Sequence, residues 1–398
     1  MNILVINAGS SSIKYKVFDF RRWPDGDQSI FAGIIDHLNE SRAPIHRWHS
    51  AHRGKQIEVL EDKLAKEGDS FLYETIFRAL AQSVVIDAVG HRVVHGGEHF
   101  NTPVKIDSST LELLRQTISL APLHNPSNIS GIEQAQRVYF QVPHVAIFDT
   151  AFHHHLPSVA RCYALPENIQ REYKIRRYGF HGISHQYLAQ KASHELDRPE
   201  KELRLVTLHL GNGASAAAIN GGNCMDTSMG MTPLEGLIMG SRCGDIDAGV
   251  LMSLLYSGYS VSQLDDLLNK KSGLKGLCGE NDLRLIEQGV GRGEPDAKKA
   301  LDMYCYRIKK YIGAYAATLG GIDALVFSGG VGEHSAIVRQ MCCEGLAFLG
   351  ISLDLEKNKN PGAETKIHSY SATCAVLLIP ANEELEIARQ VKQYLSVT

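Results

Sequence analysis

The sequence predicts a two-domain α/β fold of the nucleotide-binding kind, built on a strand–loop–strand unit that occurs twice. Three observations carry this. Loops of small residues, at 7–12, 211–215 and 328–332, each follow a short apolar run. The order strand, Gly/Ser/Asn loop, strand at residues 1–18 returns at residues 203–219, as a pattern and not as letters. Arg92 and Arg242 lie in glycine-rich surroundings, and Asp149 and Glu383 follow strand-like runs. Together these are the parts that phosphoryl transfer needs: a cradle for phosphates, cations for developing charge and oxygen ligands for Mg2+.

Composition narrows the alternatives. A chain of 398 residues suggests two domains or more. Its formal net charge of -3 favours neither nucleic acid nor an acidic membrane surface as partner. The opening apolar run is four residues long and lacks a basic flank, so no signal peptide is expected. The uncharged window 205–225 is interrupted throughout by Gly, Asn, Ser and Thr and does not read as a membrane span. The eight cysteines form no C-x-x-C pair and read as reduced packing residues of a cytoplasmic protein.

In the first half, residues 3–6 are apolar and β-branched, a buried strand. Residues 13–18 alternate, a half-exposed strand. The turn between them exposes backbone N–H groups and hydroxyls, which suits an anion, although an ordinary hairpin has the same look. Residues 29–38 read as a third strand, 57–65 as helix-like, 73–81 as a helix and 84–94 as a strand. Helices follow at 108–120, with Asp107 or Ser108 as cap, and at 128–140. Strand 142–148 ends at Asp149, a position that suits metal or phosphate chemistry and equally a cap or turn. Three adjacent histidines, 153–155, cannot all face one ion from a regular element and read as a polar loop.

In the second half, a helix at 184–195 precedes strands at 203–210 and 216–219, and Gly221-Gly222-Asn223 turns into a third. The glycine-rich stretch 226–249 reads as a long functional loop around Arg242, Asp245 and Asp247. Helices are expected at 249–256, 261–269, 282–288 and 297–319. The last carries Tyr304, Ile308, Tyr311, Tyr315 and Leu319 as a core stripe. Strand 324–327 runs into the glycine loop 328–332, with a helix from about Ser335. Neither G-x-G-x-x-G nor G-x-x-x-x-G-K-[ST] occurs, which speaks against Rossmann and P-loop sites. A strand at 375–379 and an apolar-faced helix close the chain.

These parts point to an actin-like arrangement. The stretches 7–14 (NAGSSSIK), 90–98 (GHRVVHGGE), 148–153 (FDTAFH), 178–182 (YGFHG) and 209–215 (HLGNGAS) then form one ordered series. The stretches 226–230 (DTSMG), 232–236 (TPLEG), 242–247 (RCGDID), 329–333 (GGVGE) and 382–385 (NEEL) continue it. The sequence closely resembles the acetokinase family of the acetate and sugar kinase/Hsp70/actin superfamily, over almost its whole length. Residues 21–56 and 270–281 match only loosely, and the 153–155 histidines and Cys243 depart from the pattern.

The resemblance implies two duplicated actin-like (ribonuclease H-like) domains with a cleft between them. They would be residues 1–150 with 384–398, and residues 151–383. It implies reversible in-line transfer of the ATP γ-phosphoryl group to acetate, giving acetyl phosphate and ADP, with Mg2+ or Mn2+. Arg92, Arg242, His181 and Asp149 would be catalytic, with His181 hydrogen-bonding the phosphoryl group. Arg92, Val94, Leu123, Phe180 and Pro233 would hold acetate, and Asn7 and Glu383 would serve the metal. The nucleotide would lie on Lys14, His209, Leu210, Gly211, Asn212 and Gly213. Asp282, Leu283, Arg284, Gly330, Val331, Gly332 and Glu333 would complete its site. A homodimer is implied, with no nucleic-acid or membrane partner. The nearest rival is a propionate kinase with the same mechanism, which one methylene in the pocket separates only weakly. A non-catalytic actin-like switch would not need Arg92, Arg242 and His181 together.

Overall fold

The computed structural model describes residues 1–9, 12–23, 28–36, 45–50, 54–59, 69–122, 124–362 and 365–397, with backbone alone at 54–59 and 69–73. Leu123, Ser10 and Ser11 lie outside the described residues. The chain divides into two compact units, Met1–Ala151 with Asn382–Thr398, and Phe152–Ala381.

The first unit is built on a sheet of β1 (Asn2–Ala8), β2 (Ser12–Asp19), β3 (Ser29–Asp36), β4 (Ile45–Ser50), β5 (Gly54–Val59), β6 (Ala88–Val93), β7 (Val104–Lys105) and β8 (His144–Phe148). Their order is β5-β4-β3-β2-β1-β6-β8-β7. β1 pairs antiparallel with β2 and parallel with β6, and β6 continues parallel to β8. β1 is apolar without alternation because both its faces are covered. On one face Leu4 and Ile6 pack with Ile76, Phe77 and Leu80 of helix Asp69–Ser83 and Ala135 of helix Asn125–Val138. On the other, helix Glu383–Val397 buries Leu385, Ile387, Ala388 and Val391. It lies so close that a Cβ on Gly90 would stand 2.8 Å from Val391 Cγ2 and 3.0 Å from Ile387 Cγ2.

The second unit repeats this plan. Its strands are β9 (Arg204–Leu210), β10 (Ala214–Asn220), β11 (Asn223–Thr227), β12 (Ala324–Ser328) and β13 (Ala375–Leu378), in the order β11-β10-β9-β12-β13. Two antiparallel pairings on one side of β9 and two parallel ones on the other match the arrangement around β1. Helix Gly182–Leu196 packs on β9 and β12 as Glu383–Val397 packs on β1 and β6. In helix Pro295–Leu319, Tyr304, Ile308, Tyr315 and Leu319 are buried as expected, while Tyr311 Oη donates to Asp245 at 3.0 Å.

Four sequence expectations change. Helix-like residues 57–65 begin in β5, where Ile57 pairs with Arg47, and residues 60–68 lie outside the described residues. The alternation Gln56-Ile57-Glu58-Val59 has the period of a strand. Strand 84–94 starts only at Ala88, because the N–H of Val84 still donates to Leu80 O at the helix end. The loop 328–332 is mostly helix, Gly329–His334, followed by Ala336–Cys343. The chain turns straight off β12 because Gly329 takes φ +78, where a Cβ would meet Leu210 O at 2.6 Å. Helix Gly273–Cys278 was not expected at all.

Among the described residues no helix is long and apolar enough to cross a membrane. All eight cysteines are free thiols. Replacing Gly90 by Val should push the final helix off β6 and destabilise the protein by about 1–3 kcal/mol, read as a lower urea midpoint. An unchanged midpoint would contradict this packing.

Candidate active site

In the first unit, the ends of β1, β6 and β8 gather one cluster. Ile6 is in register with His91, and Arg92 with Ile147, so Asn7, Arg92 and Asp149 emerge at the same edge. Arg92 donates from Nε to Asp149 Oδ1 at 2.9 Å and from Nη2 to Oδ2 at 2.6 Å, a two-pronged pair. Its Nη1 reaches Asn7 Oδ1 at 3.2 Å, and Glu383 Oε2 lies 4.0 Å from its Nε. Asp149 is 1% exposed. Burial pushes its carboxyl above the ordinary value, and the Arg92 guanidinium pulls the other way. Burial also opposes the charge on Arg92, but Asp149 and then Glu383 hold it above its ordinary value.

Two side chains that sequence reasoning missed brace this edge. Asn128 accepts from the Val94 N–H at 3.0 Å and donates to Ala8 O at 2.6 Å, tying the end of β1 to the end of β6. Asn125 does the same for the backbone of His95. The signal was present as polar residues on the buried side of a helix that also carries Ile129 and Ile132. Val94 is buried. Lys14 lies exposed on β2, in register with Asn7.

In the second unit, the turn between β9 and β10 is closed by the Gly211 N–H donating to Gly213 O at 2.9 Å. Gly213 has a specific reason to be glycine. A Cβ there would lie 2.9 Å from Arg242 Nη2, 3.5 Å from His181 Cε1 and 3.6 Å from His181 Nε2. Arg242 donates to Pro233 O at 2.6 Å and, among the described residues, has no carboxylate partner. Burial lowers its pKa from the ordinary value. His181 has φ +56, a left-handed conformation that non-glycine residues hold only where the surroundings enforce it. It opens helix Gly182–Leu196, and its Nδ1 is 2.9 Å from Ser215 Oγ. A cation and an imidazole therefore both approach one glycine turn, a combination of groups that suits an oxyanion.

The loop that carries Arg242 is fixed from behind. Asp245 accepts from the Gly236 N–H at 2.9 Å and from Tyr311, and Arg307 Nη1 lies 3.3 Å from its carboxylate. Gly236 and Gly244 take φ +109 and +70 at its turns. Arg177 bonds Glu235 at 2.7 Å.

A cavity of about 550 Å³ opens beside the same turn. Gly211, Asn212, Asp282, Leu283, Arg284, Gly330 and Val331 line it, so the structure brings these seven sequence candidates together. Leu274, Glu287, His334 and Ser335 also line it and were missed. Leu274 lies on the unexpected helix, and Glu287 and Ser335 bond each other. His209, Leu210, Gly332 and Glu333 stand behind this wall. His209 pairs with Ser184 at 2.8 Å, Leu210 and Gly332 are buried, and Glu333 accepts from the N–H groups of Gly329 and Ala381. Phe180 is buried, and Pro233 is half-buried with its carbonyl on Arg242.

The histidine run is not a polar loop at its first position. His153 is fully buried, with Nε2 3.0 Å from Phe180 O and Nδ1 3.1 Å from Cys224 Sγ. Sequence shows adjacency but not that one of three neighbours turns inward. No group of three or more His, Cys, Asp or Glu among the described residues is placed to hold a metal. Burial holds the His153 imidazole down at about 4. The folded state refuses a proton that the unfolded chain accepts below about 6.5, so stability is lost as pH falls from 6.5 towards 4. Its share is about 3 kcal/mol, and His91 and His185, lowered in the same way, add with the same sign. Denaturant titrations should give His153→Gln a shallower loss over this window than the parent. Parallel curves would contradict the assignment.

The model of the acetokinase family matches residues 2–389. The acetate kinase of Sulfurovum sp. (strain NBC37-1) is 46% identical over 405 residues, covering 100% of this chain and 99% of the relative. The crystal structure of Porphyromonas gingivalis acetate kinase superposes with a TM-score of 0.90 at 38% identity, covering 99% of each chain. That of a propionate kinase from Francisella tularensis gives 0.90 at 37% identity, covering 98% of each. The duplicated, two-domain actin-like α/β fold expected from the sequence is the fold of these relatives. The chain belongs to the acetokinase family.

Proposed function

We propose that this chain transfers the γ-phosphoryl group of ATP to acetate, reversibly, giving acetyl phosphate and ADP. The observation that carries the reading is the approach of Arg242 Nη2 and His181 Nε2 to Gly213, with no carboxylate among the described residues to neutralise the arginine. The 550 Å³ cavity beside it, edged by Asn212, Asp282, Arg284 and Gly330, accommodates the nucleoside.

The chemistry needs little from the protein beyond position and charge. Acetate is ionised at neutral pH, so no general base is required. Asp149, committed to the Arg92 fork, orients that guanidinium and does not remove a proton. The barrier is the approach of one anion to another, and Arg92, Arg242 and the His181 N–H offset it. Arg92 and Arg242 take the carboxylate and phosphoryl oxygens, for which a planar fork suits better than an ammonium. Val94, Phe180 and Pro233, with Leu123, are assigned to the methyl group.

Mg2+ is part of the reading. Asn7 Oδ1 and the Glu383 carboxylate are hard oxygen donors close to Arg92, and Asp149 is already engaged. That donor set fits an ion held mainly by phosphates and water, with one or two protein oxygens. When bound, the ion neutralises charge on the β- and γ-phosphates.

The chain acts as a homodimer in the cytoplasm. Free thiols throughout suit a reducing compartment. Helix Ala248–Tyr256 is apolar yet buries no residue, with Val250 43%, Met252 49% and Tyr256 84% exposed.

Steady-state kcat/KM with acetate, propionate and butyrate tests the substrate, with acetate expected first. Preference for propionate would replace acetate by its homologue, a change of one methylene worth roughly 10–200-fold. Arg242→Lys should fold normally and lose most of kcat, about 100-fold or more, in a hydroxamate assay for acetyl phosphate. Near parental turnover would overturn the assignment.

A further inference from the structure

Behind His181 runs a line of buried polar groups that the proposed reaction does not itself use. His181 Nδ1 lies 2.9 Å from Ser215 Oγ, and the same oxygen lies 2.8 Å from His185 Nε2. His185 Nδ1 lies 2.7 Å from Thr207 Oγ1. Thr207, His185 and Ser215 are all 1% exposed or less. The helix places His185 one turn after His181, and β9 and β10 supply Thr207 and Ser215.

We propose that Thr207, His185 and Ser215 form a one-way hydrogen-bond relay that holds the His181 ring with its Nε2–H turned towards the Gly213 turn. The proposal rests on the reading of His181 as a donor to the transferring phosphoryl group, and deepens it.

The direction follows from counting protons. Thr207 Oγ1 has His185 Nδ1 as its one hydrogen-bond partner among the described residues, so its buried O–H donates there. His185 Nδ1 is then an acceptor, and its proton sits on Nε2 and is donated to Ser215 Oγ. Ser215, having accepted that bond, gives its own proton to His181 Nδ1. His181 Nδ1 is thereby filled as an acceptor, and the remaining ring proton is on Nε2. That nitrogen lies 3.6 Å from the point where a Gly213 Cβ would stand, and Arg242 Nη2 lies 2.9 Å from it. The reverse direction leaves the Thr207 proton buried without an acceptor. Neutrality of His185 agrees, since burial first and His153 second keep it well below its ordinary pKa. Thr207, His185 and Ser215 are thus positioning residues that act through His181.

The test reads tautomers directly. Long-range 1H–15N correlation spectra of the 15N-histidine-labelled full chain, assigned with His181→Asn and His185→Gln, should show both rings neutral with the proton on Nε2. A proton on Nδ1 of His181 or of His185 would overturn the relay. Ser215→Ala should move the His181 ring signals and lower kcat about tenfold while KM for ATP changes little. Unchanged His181 signals and unchanged kcat in a folded Ser215→Ala protein would also overturn it. If that variant fails to fold, the parental spectra decide alone. An absence of acetate-dependent turnover in the parent would defeat the proposed function and leave the tautomer result standing.

Discussion

An arginine without a carboxylate is the interaction on which the rest of this site depends. The protein holds two guanidiniums of opposite character. Arg92 is already matched by Asp149 and approached by Glu383, so its charge is compensated before any substrate arrives. Arg242 is half-buried, bonded to one carbonyl and uncompensated by any carboxylate among the described residues. Burial disfavours such a charge, and an anion is what relieves it. The cost of holding it is met by packing elsewhere: Asp245, Tyr311, Arg307 and two glycines in left-handed turns lock the loop that carries it.

The repeated sheet explains why both clusters form at corresponding strand ends. In each unit a central strand has antiparallel neighbours on one side and parallel neighbours on the other. Each cluster grows from the carboxyl ends of those strands, where open α/β sheets leave room for ligands. In the first unit the ends supply Asn7, Arg92 and Asp149. In the second they supply the Gly211–Gly213 turn and the start of helix Gly329–His334, and helix Gly182–Leu196 brings His181. Close helix packing is part of the same design, since Gly90 beside Ile387 lets the last helix settle on the strand that bears Arg92.

Local features were legible in the sequence and non-local ones were not. The strands around both glycine turns and the core stripe of helix Pro295–Leu319 could be read because periodicity is a near-neighbour property. β4 and β5 were missed because they lie in a polar, charged stretch of the chain, whose bulk composition hid the strand-like alternation of residues 56–59. His153 looked like a loop residue because burial is decided by distant chain, here Phe180 and Cys224. Arg92 and Asp149 were both singled out, but their two-pronged bond depends on a parallel register set 57 residues apart. The meeting of Gly213, Arg242 and His181 depends on three separate segments, and the bracing roles of Asn125 and Asn128 on two strand ends.

In the proposed reaction the transferring phosphoryl group sits against Gly213, next to Arg242 and His181. Gly213→Ala tests this placement most directly, because the added methyl would stand 2.9 Å from Arg242 Nη2, the mobile tip of that side chain. The variant should melt within a few degrees of the parent and lose acetate-dependent turnover by about 100-fold. Parental turnover in a folded Gly213→Ala protein would contradict it.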